Sequence, residues 1–558
     1  MGGEWGETAK RFAPALLGLL FGLLALGPAL GPGFVLRYDM VFVPDPPPVL
    51  PGEGFPRAVP SDLVVALLSR VVPEQVLQKV VLLGIFVLAA SGAAALAPSR
   101  RLGPRLAAAA FYSWNAYLAQ RLLLGQWALL LGVAGLPWAV RAVALGGRSR
   151  LVAALLPAAV GGFQAMLVAA PALLATAATA PVTGPATAPV TGPVTASATG
   201  PATADGRSAT PARRVRVRRV LEVTLVMAVL SLPWLVPALS SRAVTDPAGA
   251  WAFAARADGP LGTVGSLLSL GGIWNAHAVL PGQETWWSAI VRLLLAAVAV
   301  WGFARLPGSP ARHGAGAAEP YRAGLAVAAV AGLAVALVGA FAPGVLGGLI
   351  GWWPGFGPLR DGQLYLAPFV LLQAVGLAAV VARWNSRAVA AVAVATPVLV
   401  LPTFALGAFG RLSAVDYPDE WRKVQAIVNA DPAPGALLSL PWGAHRAFGW
   451  NGDRVILDPA TKMFRRRVLW NDALLVGLPG GGRLRVAAED PASAEVAAAL
   501  GVEPGGRMAA LAGLNVRYVL IYGGDNPFQI PGGDDPFRGS ATVFHGSELR
   551  LLRLDAPS

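Results

Sequence analysis

The 558-residue chain contains no cysteine, which excludes a disulfide framework, a thiolate metal site and a cysteine nucleophile, and leaves the redox compartment unmarked. Histidine is scarce as well: the four are scattered without HExxH spacing, so no zinc-peptidase site is written here. No glycine-rich phosphate loop, nucleophile elbow or zinc motif is present, which argues against soluble nucleotide chemistry. Charge is thin. Only 13% of residues are charged, 55% are hydrophobic and the mean hydropathy is +0.59, more apolar surface than a soluble chain of this length buries. The formal charge of +14 comes as short arginine groups beside apolar runs, without the basic face or aromatic platform that nucleic acid needs.

What the sequence has is long apolar runs, at about 12–31, 76–98, 103–114, 126–145, 220–240, 286–305, 323–345, 363–383 and 388–410, where a full crossing takes ~20 residues. The first follows Lys10 and Arg11 and has the look of a signal peptide. Its length and the lack of a small-x-small site before a soluble domain make it a signal anchor. The run at 151–177 is ambiguous, because Gly161-Gly162 breaks it into two short helices of a re-entrant hairpin or leaves it one span. Arginines gather at 100–105, 141–150, 213–219, 305–322 and 383–387, which the positive-inside rule places in the cytoplasm. They share one side if 151–177 crosses an even number of times. The expected fold is then a polytopic α-helical membrane protein with about eleven crossings, a cytoplasmic N-terminus and a C-terminal extracytoplasmic α/β or α+β domain. Trp286-Trp287 and Trp352-Trp353 fall near the expected outer boundaries, where indoles favour the interface.

Four segments follow from this. Residues 1–177 form an N-terminal membrane bundle with a first outer loop at 32–75. Residues 178–219 are a linker whose Pro/Thr/Ala/Gly repeat cannot pack a core; the RRVRVRR run at 213–219 favours the cytoplasm over a glycosylated outer stalk. Residues 220–410 form a second bundle. Residues 411–558 form the outer domain, with a helix at Glu420–Asn429, strands at Ala436–Leu440, Val455–Leu457 and Val516–Tyr522, a helix end at Ala509–Leu514, and a terminal hairpin of Thr542–Phe544 with Leu549–Leu554.

A polar side chain held in or near a bilayer must be compensated for lost hydration, and four stretches qualify. RYDMVFVPDPPP carries Arg37, Tyr38, Asp39 and Asp45, with Pro44 and Pro46 to Pro48 stiffening the exit from the first span. A carboxylate fixed there can deprotonate an acceptor hydroxyl or hold a divalent metal against a phosphate; the plainer alternative is that Asp39 pairs with Arg37 or caps a turn. FYSWNAYLAQRLLLGQW, residues 111–127, sets Asn115, Gln120, Arg121 and Gln126 among aromatics, and Arg121 suits a bidentate grip on a lipid phosphate or snorkels to headgroups. WWPGFGPLRDGQLYLAP, residues 352–368, starts a span with Arg360-Asp361, either a site or a self-neutralised helix start. IWNAHAVLPGQETWW, residues 273–287, offers His277 and Glu284, a lone histidine there being more often structural. In the outer domain, LPWGAHRAFGWN mixes Trp442, His445, Arg446 and Trp450 as glycan-binding surfaces do, or packs the domain onto the membrane.

RYDMVFVPD, WNAYLAQRLLLGQWALLLG, LRDGQ and YPDEWRKVQ together resemble the actinobacterial membrane proteins of the GT-C glycosyltransferase superfamily, especially its arabinofuranosyltransferase-like and mannosyltransferase-like members, and the Ala/Gly/Arg-rich composition suits a high-GC source. The resemblance implies transfer of a sugar from a polyprenyl-phosphate donor to an envelope glycan or lipid acceptor at the outer face. It makes Asp39 the base or the metal ligand, with a divalent cation as the cofactor to test for. Arg121, Arg360 and Arg37 are the cations expected at the donor phosphate. Tyr38, Asp45, Asn115, Gln126, Asp361, His277 and Glu284 are expected near substrate. Asp39 is followed by Met40, where the superfamily has a second acid. Two other classes compete: a lipid or glycan transporter or flippase, which calls for inverted repeats and broken helices, and a noncatalytic envelope-assembly protein, which would leave Asp39 solvent-facing or paired.

Overall fold

The computed structural model describes residues 2–48, 54–181, 209–307, 319–478, 481–523, 537 and 539–554. Its helices are α1 (Gly2–Leu26), α2 (Ser61–Leu68), α3 (Glu74–Leu96), α4 (Leu102–Ser113), α5 (Ala116–Leu123), α6 (Trp127–Leu145), α7 (Arg148–Thr179), α8 (Ala209–Ser240), α9 (Gly249–Ala252), α10 (Gly262–Leu268), α11 (Trp286–Ala304), α12 (Arg322–Phe341), α13 (Pro343–Trp352), α14 (Ala367–Trp384), α15 (Arg387–Val400) and α16 (Ala405–Gly410). The C-terminal region adds α17 (Asp419–Ala430), α18 (Ala460–Met463), α19 (Pro491–Leu500) and α20 (Pro504–Gly513). Among the described residues eight helical segments are long and apolar enough to cross a membrane, counting the kinked α7 as one, or nine if the bent α15–α16 pair is one span. The chain is a membrane protein, and α14 forms the centre of the bundle, buried along almost its whole length.

Arginines mark one end of the bundle. Arg101 donates to the Ala382 carbonyl, Arg105 to the Lys10 carbonyl, Arg141 to the Ala95 carbonyl and Arg322 to the Ala304 carbonyl. The Ala382, Ala95 and Ala304 carbonyls lie at or near helix C-termini, where cations offset unpaired acceptors. The ambiguous segment α7 bears on the same question. Its backbone leaves the helical region at Gly162, with φ 75° and ψ −148°. Arg148 at its start pairs with Glu222 of α8 at 2.7 Å, and Pro181 just past its end accepts from Arg219 of α8 at 3.2 Å. Both ends of α7 therefore lie beside one turn of α8 at the arginine-bearing end, and neither arm reaches the ~20 residues of a full crossing. The helical segment doubles back. Gly162 is required at the apex, because a Cβ there would sit 2.4 Å from the Val59 carbonyl oxygen.

Three other expectations change. The 103–114 run gives a 12-residue α4, about 18 Å long, because Asn115 ends it by capping α5. The 388–410 run is a 14-residue α15, a bend of 67° and a left-handed turn at Leu406–Phe409, since Pro402 cannot donate to continue the helix. The basic run 213–219 lies within α8 rather than in a linker; the Pro/Thr/Ala/Gly segment at 182–208 lies outside the described residues.

Beyond the other end of the bundle lie the strands: β1 (Phe34–Val35), β2 (Ala414–Val415), β3 (Ala436–Leu440), β4 (His445–Ala447), β5 (Val455–Leu457), β6 (Val468–Leu469), β7 (Leu474–Gly477), β8 (Arg483–Val486), β9 (Val516–Tyr522), β10 (Ala541–His545) and β11 (Leu549–Arg553). The largest sheet has order β10-β11-β9-β3-β6, with β3 parallel to β9 and β6, and β11 antiparallel to β9 and β10. β3 is buried at every position and β9 at most of its length, as apolar central strands covered on both faces must be. The expected strands at Ala436–Leu440, Val455–Leu457 and Val516–Tyr522, the helix near Glu420 and the terminal hairpin all form.

The loop after α1 is built into this region. β1 pairs antiparallel with β2. Gln78 of α3 holds Val35 by both its N–H and its carbonyl at 2.8 Å. Tyr38 bridges Ile456 in parallel, and Tyr417 donates to the Phe42 carbonyl at 3.0 Å.

Candidate functional site

Asp39 sits on a tight turn. Arg37 and Met40 exchange backbone hydrogen bonds at 3.2 and 2.9 Å, Tyr38 takes a positive φ of 45°, and the Asp39 N–H donates to the Leu124 carbonyl. The turn presses on Gly125, where a Cβ would lie 2.2 Å from the Met40 nitrogen and φ is +77°, so glycine alone allows the approach. The backbone of Asp39 is thus held by the α5–α6 elbow while its side chain stays 53% exposed. Its Oδ1 lies 3.3 Å from Nε2 of His445, on β4, and the Tyr38 ring flanks that imidazole at 6.1 Å.

A cation completes the arrangement. Arg57, from the loop between α1 and α2, exposes 49% of its side chain and feels the charge of Asp39. Arg57 is ion-paired to Glu489, whose other oxygen takes Arg360 at 2.6 Å. Burial opposes the charge of Arg57, yet Glu489, Asp472 and Asp39 hold its pKa above the ordinary value. Burial alone would raise Glu489, but Arg57 and Arg360 pull it below the ordinary range. A carboxylate and an imidazole meet here, from the loop after α1 and from the C-terminal region, with the guanidinium of Arg57 within electrostatic reach of the carboxylate. That set can accept a proton and stabilise an anion.

The cations expected at the donor phosphate are placed differently. Arg121 is fully buried; its Nη1 donates to Asp361 at 2.6 Å and Gln126 at 2.9 Å, and its Nη2 to Asp361 at 2.8 Å and to Gln363. Its terminal N–H groups are all engaged and only the buried Nε–H lacks a partner, so it fastens the turn before α14 to α5. Arg37 is buried, donating to the Leu123 and His277 carbonyls; desolvation first, then Arg411 and Arg454, lowers its pKa. Arg360 is spent on Glu489 and the face of Phe253, 4.9 Å away. Sequence reasoning passed over Arg57 because a lone arginine between Pro56 and Pro60 carries no local pattern.

The remaining expected residues divide. Asn115 caps α5, accepting from the Leu118 N–H and donating to the Phe111 and Tyr112 carbonyls. Gln126 and Asp361 serve Arg121. Asp45 is exposed, its backbone tied to Glu74 and Gln425. The His277 and Glu284 side chains are exposed and do not join Asp39. The glycan surface does not form as expected. Arg446 is buried, 3.1 Å from Asp458, Trp450 packs on Tyr417 and Phe448 at 4.9 and 5.3 Å, and Trp442 is half-buried. Only His445 of that stretch reaches the site.

No group of three or more metal-ligating side chains occurs among the described residues. Asp39 with His445 supplies one carboxylate and one imidazole, a poor donor set for a hard divalent cation, which prefers several oxygen ligands.

No known protein family matches the chain, and no curated protein does. Its fold is similar to that of the mycobacterial arabinofuranosyltransferase AftD, solved by cryo-electron microscopy, with a TM-score of 0.56 at 13% identity over 98% of this chain. A mutant form of the same enzyme gives 0.52 at 13% identity over 98%. The chain spans 40% and 42% of those two chains.

Proposed function

We propose that this membrane protein is a glycosyltransferase that moves a sugar from a polyprenyl-phosphate donor to an envelope glycan or lipid acceptor. The carrying observation is the half-exposed Asp39 carboxylate beside His445 and Arg57, on a fold shared with an arabinofuranosyltransferase. Under the positive-inside rule the arginine-bearing end is cytoplasmic, which puts the site on the outer face near the headgroups of a lipid donor.

In this reading the acceptor hydroxyl gives its proton to the Asp39 carboxylate as its oxygen attacks the anomeric carbon. The bond from that carbon to the phosphate oxygen breaks, and the electron pair leaves with the lipid phosphate, so the configuration inverts. His445 orients the carboxylate, and Arg57 meets the departing anion in the place first given to Arg121, Arg37 and Arg360. The leaving group is already anionic, so no strong general acid is needed.

The noncatalytic assembly reading retains one observation, since Asp39 is both exposed and paired. Purified protein in nanodiscs, offered a panel of polyprenyl-phosphate sugars, separates the two. The expected result is transfer of one sugar, with Asp39→Asn slowing turnover by about 10²–10⁴ and Arg57→Gln raising the KM for donor. Transfer by Asp39→Asn at the wild-type rate removes the mechanism.

A further inference from the structure

A second charged feature lies in the C-terminal region and shares no residue with the Asp39 site. A cleft of about 780 Å³ opens between the loop that follows α17, the stretch Arg465–Arg467 leading into edge strand β6, and the turn before β9. That size is within the range of small-molecule sites. The acid lining it, Asp431, is already consumed. Its Oδ2 accepts from Arg517 at 2.5 Å and Tyr518 at 2.6 Å, with Arg466 at 3.6 Å.

The arginines are unevenly compensated. Arg466 is nine-tenths buried and well held, donating to the Gly435, Asp431 and Val428 carbonyls at 2.8, 3.0 and 3.4 Å and lying 4.9 Å from the Tyr518 ring, although its buried Nε–H has no partner. The exposed Arg465 has only its backbone N–H engaged, by Asn429. Arg467 has a loose pairing of 3.5 Å with Asp490. Asn515 is exposed at the mouth, on a backbone of φ 56°. The exposed Arg465 and the loosely paired Arg467 leave an excess of positive charge around the cleft, which favours an anionic occupant.

The geometry points to this cleft as a binding site for a phosphate monoester, held by the guanidinium groups of Arg465 and Arg467 with the amide of Asn515. A phosphoryl group has three oxygens for two planar donor forks and an amide, whereas a carboxylate saturates one fork. The monoester can be a soluble phosphorylated saccharide or the headgroup of a lipid with a terminal phosphate.

The test uses full-length protein in nanodiscs and compares wild type with R465Q/R467Q, both exposed positions at which folding should survive and is checked by thermal unfolding. Glycerol 3-phosphate is titrated calorimetrically into zwitterionic nanodiscs. In a second arm the discs contain phosphatidic acid, and its enrichment around the protein is measured. Saturable binding of glycerol 3-phosphate that weakens at least tenfold in the variant supports a soluble source. Phosphatidic acid enrichment lost in the variant, without glycerol 3-phosphate binding, supports a headgroup source. Equal behaviour of the two proteins in both arms overturns the site. Binding in D39N protein should match wild type, so loss of the transferase reading leaves this result standing.

Discussion

Asp361→Asn removes the one carboxylate that, among the described residues, pairs with Arg121, while keeping the shape of the side chain. Arg121 has no exposure and cannot shed its proton, so the change leaves a buried cation with only neutral acceptors, the amide oxygens of Gln126, Gln363 and the new asparagine. Breaking a buried pair from one side costs about 3–5 kcal/mol. In a bilayer the lower part of that range applies, because the unfolded chain also finds polar partners there. Arg121→Met should cost less, since Asp361 keeps 11% exposure and with it some hydration. The double variant R121M/D361L should recover much of the loss, as apolar replacements of buried pairs often do. Thermal unfolding midpoints in detergent for the four proteins of this cycle, with donor KM measured in parallel, read the outcome. If D361N unfolds within about 1 kcal/mol of wild type, or if Arg121→Met keeps full stability but loses donor binding, the pair is not the fastener described and Arg121 regains its place as a phosphate ligand.

Two further changes probe the backbone and the C-terminal region. Gly162→Ala forces a side chain into a conformation essentially reserved for glycine, at about 1–3 kcal/mol, and against the Val59 carbonyl; Gly84→Ala, with open space around it, should cost nothing, and equal midpoints for the two would refute the hairpin apex. The Arg517 hydrogen bond first, then Tyr518, holds the Asp431 carboxyl well below the usual range. Its contribution is therefore full above the unfolded value of about 4 and is lost as pH falls through the folded value. Unfolding midpoints of Asp431→Asn and wild type should converge as pH drops below about 4, and a constant gap would contradict the assignment.

The β3 and β9 strands were legible because each is a short apolar run between turn signals, and burial on both faces leaves such a run few alternatives. Asp39 was legible as a carboxylate beside a proline-stiffened exit. Its partners were not: His445 is more than four hundred positions away, and Arg57 has no motif. The roles of Arg121 and Asp361 were misread because a bidentate pair joining residues 240 apart looks, in sequence, like two separate polar interruptions.

The sequence by itself determined that the chain lives in a membrane, which end of the bundle gathers arginines, and where the apolar strands run, since those follow from local hydropathy, charge and periodicity. The tertiary structure alone decided which carboxylate each arginine meets and how much of it stays exposed, because that depends on distances between distant parts of the chain. Arg121 meets Asp361 with no exposure, Arg360 meets Glu489, and Arg57 shares Glu489 while half of its side chain stays open.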